Sequence, residues 1–338
     1  MRTAIPVTSL LFVAFTLNAQ NIKTFDFPNA SDTSPSAISS SGEIVGIYYD
    51  NTGGHAFLRD SKGKFKTFDD PNGFQTVPLA INSRLIVGNY LSNQLDPHGM
   101  QLQPGFIRDN KGAFSDVLPP SALAVFPTAI SSSGVVVGWT VQTDFSRDSF
   151  IRSPDGTITL LTFGSVESQI NAINPAGQTT GDYFPDPNSL DVIGFLREPD
   201  GSVTTFNVLD QSRTFPFAMN ARGQIVGFSQ DLATNTSHGF LRDVDGTITI
   251  IDYPGAISTG VFGIDSRGRV AGNYSISPSE VGVFVREVDG TFTNIEVPPS
   301  QFTSVSGMNP QGEIVGTFGD ENLRIHGWLL EPKHDNKP

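Results

Sequence analysis

The feature that most constrains this chain is a unit of about 45 residues repeated seven times. One phrase, close to A-I-N-x-x-G-x-I-V-G, appears as AISSSGEIVG (37–46), AINSRLIVG (80–88), AISSSGVVVG (129–138), AINPAGQTTG (172–181), AMNARGQIVG (218–227), GIDSRGRVAG (263–272) and GMNPQGEIVG (307–316). A second, built on HAFLRD (55–60), and a third, built on KTFDFP (23–28), also occur seven times each. Periods of this length mark propellers and solenoids.

Each unit reads as β throughout. Runs of 4–8 residues rich in Ile, Val, Phe, Thr and Tyr alternate with glycine turns, and no window sustains helical spacing. We read four strands per unit: a (A-I), b (E-I-V-G-x-Y), c (H-A-F-L-R-D) and d (F-K-T-F-D). Tight glycine turns link a to b and c to d, as at Lys62-Gly63 and Asp245-Gly246. Strand c occurs seven times, but the glycine of the c–d turn occurs six times. The seventh copy, HGWLLEP, lacks a strand d, and an unattached one stands at the start of the chain as NIKTFDF (21–27). An open stack would want capping repeats, whereas a ring uses the spare strand to complete its last unit. The expectation is an all-β, seven-bladed β-propeller with four-stranded blades, spanning 20–332 and closed by its N-terminal strand.

The HAFLRD phrase with I-N-x-x-G-x-I-V-G resembles the bacterial extracellular HAF-repeat proteins, named for the tripeptide found here as His55-Ala56-Phe57. The resemblance covers essentially all of the chain after residue 19, and it implies export and a repeated β unit without implying an activity. Only one copy keeps the full tripeptide; four lack the histidine.

Composition narrows the function. The net charge of −13 argues against nucleic acid and anionic lipid as partners. The absence of cysteine removes disulfides and thiolate chemistry. Residues 1–19 have the layout of a secretory signal peptide: Arg2, an apolar run from Ala4 to Phe15, then Ala19. The tail at 333–338 is polar, and no later stretch is apolar enough to span a membrane. The expected address is therefore secreted or periplasmic, and the expected state is a monomer.

No catalytic motif is present, and neither a cofactor nor a metal is expected. His55, His238 and His326 share one strand-c position, where imidazoles cap strand ends. Six arginines (59, 108, 152, 197, 242 and 286) share another, five of them followed by an acid, a pattern for stiffening hairpins. The phrases RDVDG (242–246) and REVDG (286–290) turn straight into strands, so they read as turns rather than calcium loops.

The b–c connections are long and variable (49–54, 91–103, 140–147, 184–192, 229–237, 275–280 and 319–324), and they share a face with the d–a connections. Variable loops on a rigid scaffold carry binding. Near the end of strand b stand Tyr48, Tyr90, Trp139, Asp182, Tyr183, Tyr274 and Phe318. Aromatics beside carboxylates suit stacking on sugar rings; the competing reading is that they fill the space between blades. The expectation is a non-enzymatic scaffold that binds a glycan or a cell-surface protein on this face. The alternative is a propeller lyase or hydrolase with carboxylates at the channel mouth, recognised by two carboxylates about 5–9 Å apart or a histidine beside a carboxylate.

Overall fold

The computed structural model describes residues 21–161, 167–186, 189–298 and 300–332. The expected signal peptide and polar tail lie outside the described residues. Seven antiparallel four-stranded sheets are present. In blade 1 strands a to d are Asp32–Ile38, Ile44–Asp50, Gly53–Arg59 and Phe65–Phe68. The innermost strands of the seven blades are Asp32–Ile38, Gly73–Ile81, Ala122–Ile130, Ser168–Ile173, Ser212–Met219, Ser258–Ile264 and Phe302–Met308. Each touches the innermost strand of the next, and the last touches the first, so the ring is closed. This is a seven-bladed β-propeller.

Blade 7 consists of Phe302–Met308, Ile314–Gly319, Ile325–Glu331 and, as its outer strand, Asn21–Phe25. Asn21 lies opposite Glu331 and Phe25 opposite Gly327. Lys23 Nζ reaches Glu331 at 2.7 Å.

Strand a is longer than the two-residue A-I reading, because its outer half is built from serines, threonines and other residues that vary between repeats. All seven copies slip register by one residue at the same place, leaving Ser36, Leu79, Thr128, Asn171, Phe217, Phe262 and Ser306 as bulges. The bulge pushes a strand-a carbonyl against the glycine that closes the repeat phrase. A Cβ on Gly138 would lie 2.0 Å from the Phe126 carbonyl oxygen, and one on Gly181 would lie 1.9 Å from that of Gln169. Glycine recurs here for close backbone approach.

The strand-c aromatic (Phe57, Phe106, Phe150, Phe195, Phe240, Phe284 and Trp328) is fully buried in every blade. Adjacent blades are also stitched by polar groups. The repeat-phrase asparagines donate across to the next blade: Asn82 to the Ser131 carbonyl, Asn220 to that of Asp265, and Asn309 to that of Ser39, which crosses the closure. The strand-c arginines behave as expected of hairpin stiffeners, through carbonyls rather than ion pairs. Arg197 and Arg242 donate to the carbonyls of Glu198 and Asp243. Arg59, Arg108 and Arg242 also lie over Phe25, Phe68 and Phe206 of the preceding blade.

Candidate functional site

The short a–b and c–d turns lie on one face; the b–c and d–a connections form the other, the loop face. Its connections hold thirteen aspartates and glutamates against one basic residue, Arg324. Arg324 is consumed locally, donating to the carbonyls of Ser31 and Ala30. The loop face is therefore an acidic surface.

The residues expected to form a sugar platform are mostly enclosed. A side chain two places past the repeat glycine points back at the preceding blade. There the Tyr48 ring stacks on Phe27 at 3.7 Å, and the Tyr274 ring stacks on Tyr253 at 3.8 Å. The Tyr48 hydroxyl donates to Thr67 and that of Tyr274 to Asn294. Tyr90 is buried with its hydroxyl on Asp116, and desolvation together with the Asp116 and Asp70 carboxylates holds its phenol far above the ordinary range. Phe318 is buried against the His326 ring, and Tyr183 packs on the cluster of Val137, Ile170 and Phe195. Trp139 has one side on Phe126, 4.1 Å away, and the other under the Arg147 guanidinium. These rings fill the space between blades. Of the seven residues, Tyr274 alone lines a loop-face cavity among those described below.

Asp182 lies one place past its glycine and faces blade 5. It is 3% exposed and accepts a hydrogen bond from Asn171 Nδ2 at 3.0 Å. Burial pushes its carboxyl up to about 7, opposed by that hydrogen bond and by Arg147.

The histidines acquire carboxylate partners that the sequence reading did not pair with them. His55 Nδ1 meets Asp69 at 2.7 Å, His238 Nδ1 meets Asp252 at 3.0 Å, and His326 Nδ1 meets Asp26 at 2.9 Å. The four blades without the histidine carry Leu118, Thr162, Asn207 and Glu296 where these aspartates stand. Comparing repeats position by position shows this pairing. His55 Nε2 also lies 2.8 Å from the Thr52 hydroxyl, giving a Thr-His-Asp line. That hydroxyl also donates to Asp50 Oδ1 at 2.6 Å. The pairs tie the start of strand c to the end of strand d.

Among its acidic loops the loop face also exposes apolar side chains. Each blade puts a large hydrophobic residue into solvent in or beside its b–c connection: Tyr49, Leu95, Phe145, Leu190, Leu232, Ile276 and Leu323. Phe145 and Leu323 are each 66% exposed and hold φ values of 66° and 63°. Bulky side chains seldom occupy that left-handed region. Phe74, Leu118 and Ile257 add to the same surface from the d–a side.

No family profile and no curated protein matches this sequence. Solved structures do match. A catalytically inactive virginiamycin B lyase from Staphylococcus aureus, with quinupristin, aligns over 93% of this chain and 100% of its own (TM-score 0.63, 12% identity). The β-propeller domain of the Trilobed protease from Pyrococcus furiosus aligns over 91% and 100% (TM-score 0.62, 8% identity). One of two prolyl endopeptidases aligns over 90% of this chain and 47% of its own (TM-score 0.59, 11% identity). The likeness is one of fold. Among the described residues no helix is long and apolar enough to cross a membrane.

Proposed function

We propose that this is an exported, monomeric, non-enzymatic scaffold of the HAF-repeat type, whose loop face recognises a protein of the cell envelope. Export rests on the arrangement of residues 1–19. The observation that carries the binding reading is the crown of exposed apolar residues, one from each blade, set among acidic loops. The repetition, one such residue on every blade and all on the loop face, gathers the exposed apolar groups on a single face among acidic loops. Phe145 and Leu323 hold left-handed backbone in turns closed by their N–H groups on the Gln142 and Asp320 carbonyls, the place glycine takes in turns such as that of Gly63, yet they present large apolar side chains to solvent there. Of the two expected ligand classes this favours protein over glycan, because the crown is mainly aliphatic while the flat tyrosines are enclosed.

The test is capture of solubilised envelope proteins on the immobilised chain, compared with a Phe145→Asn/Leu323→Asn double variant. A partner retained by the native chain at low salt and lost by the variant supports the reading; equal retention by both overturns it. The lyase or hydrolase alternative draws on Asp182 and on the histidine–carboxylate pairs. It predicts turnover that a Thr52→Ala or Asp182→Asn variant abolishes.

A further inference from the structure

On the loop face at blades 5, 6 and 7 lies a cavity of about 320 Å³, at the lower end of the range of small-molecule pockets. Its walls are the rings of Phe228, Phe262, Phe302 and Tyr274, and none of its lining side chains is charged. A gap in the repeat leaves room for it. The strand-a residue opposite the first position past the glycine is Ser34, Val77, Phe126, Gln169, Phe215 and Ser304 in six blades, and Gly260 in blade 6. A Cβ at Gly260 would stand 2.9 Å from the Phe262 ring, so the missing side chain and the inward ring belong together.

Several hydroxyls at the site already take part in hydrogen bonds. The Thr259 hydroxyl accepts from the Tyr253 N–H, the Ser258 hydroxyl accepts from that of Ser237, and Thr303 donates to the Thr317 carbonyl. Asn273 differs. Its side-chain oxygen accepts the Val305 N–H at 2.9 Å, which fixes the orientation of the amide and leaves the NH₂ as a donor at the wall. Aromatic walls, no charge and one fixed donor suit a flat ring with a polar edge.

The surroundings define what carries that ring. Ile257, Ile276 and Val281, exposed members of the apolar surface, stand beside the cavity in sequence and strand pairing. Glu280 is near enough to contribute, after burial and Tyr253, to holding the Tyr274 phenol up at about 12. The connections around it supply acids and a single arginine. We infer that this cavity is the socket for an aromatic side chain, tryptophan or tyrosine, carried on a basic segment of the partner protein. The inference rests on the loop face being the recognition surface and names what that surface grips.

Three peptides probe it by saturation-transfer NMR and calorimetry on the full chain: acetyl-Lys-Trp-Lys-amide, acetyl-Glu-Trp-Glu-amide and acetyl-Lys-Ala-Lys-amide. The expected result is saturable binding of the first, at least tenfold weaker binding of the other two, and at least a tenfold loss in Ser275→Phe, which plugs the mouth. Phe302→Ala, which removes a wall, should also weaken the first peptide, and both variants are to be checked for an unchanged melting temperature. Absence of saturable binding, or equal binding of the alanine peptide, overturns the aromatic socket. Equal binding of the glutamate peptide overturns the basic partner. If the peptides fail while envelope capture persists and remains sensitive to Phe145 and Leu323, the socket is wrong and the loop-face reading stands. If the peptides bind while capture fails, that reading falls and the cavity is a ligand site in its own right.

Discussion

At the scale of single residues, the most informative side chains are those held where stability alone would not keep them. Phe145 and Leu323 combine full-sized apolar side chains, solvent exposure and positive φ. Asparagine tolerates that backbone far better. Phe145→Asn and Leu323→Asn should each raise stability by about 0.5–1 kcal/mol, seen as a higher melting temperature, while weakening partner binding. A fall in melting temperature would show that these side chains are structural. Asp182 is the second such residue. Its folded pKa of about 7 stands above the ordinary 3.8, so the native state holds a proton that the unfolded chain releases. Stability therefore declines as pH rises from about 4 through 7. Asp182→Asn should leave melting near pH 4 almost unchanged and raise it at pH 8 by an amount worth a few kcal/mol, at about 1.4 kcal/mol per unit. A variant whose melting temperature keeps the native pH profile would refute that assignment.

At the scale of the element, the blade was largely legible. Alternation, glycine turns and a missing seventh c–d turn defined four strands and assigned Asn21–Phe25 to the last sheet. The seven-fold bulge was not legible, because the slip lies where strand a has no shared residue type; its trace is the glycine that the displaced carbonyl demands. Which of the two readings of the tyrosines applies was not legible for a related reason. Alternation shows that Tyr48 and Tyr274 share a side of strand b, but not that Phe27 and Tyr253 from the preceding blade already cover them. Isolated loop residues such as Leu95 and Phe145 have no period at all, and backbone sign is invisible in a one-letter code. The histidine–aspartate pairs could have been found by aligning repeats, except that His326 and Asp26 sit 300 residues apart. That pair should show a coupling of about 0.5–1 kcal/mol in a double-mutant cycle of His326→Ala with Asp26→Asn. A coupling near zero would remove the imidazole from any strand-tying role.

At the scale of the whole molecule, the ring is held by interfaces between blades, and one of these depends on a five-residue strand. Starting the chain after residue 27 would uncover the strand carrying Trp328 and Leu330, both of which belong to a buried cluster. Such a truncation should lower the melting temperature by more than 10 °C, since a ΔΔG of several kcal/mol moves a domain of this size by a few degrees per kcal/mol, and should increase dye binding to exposed apolar surface. A truncated chain that melts like the native one would mean that the outer strand of blade 7 is dispensable. The same pairing sets a timetable. The strand Asn21–Phe25 finds its partner only when the final strand has been made, 310 positions later. Until then the nascent polypeptide carries unpaired sheet edges, and the pairing of Asn21–Phe25 with the last strand closes a loop of some three hundred residues, with the largest closure entropy in the fold. Moving the chain's start to a d–a connection would give every blade four consecutive strands and remove that wait.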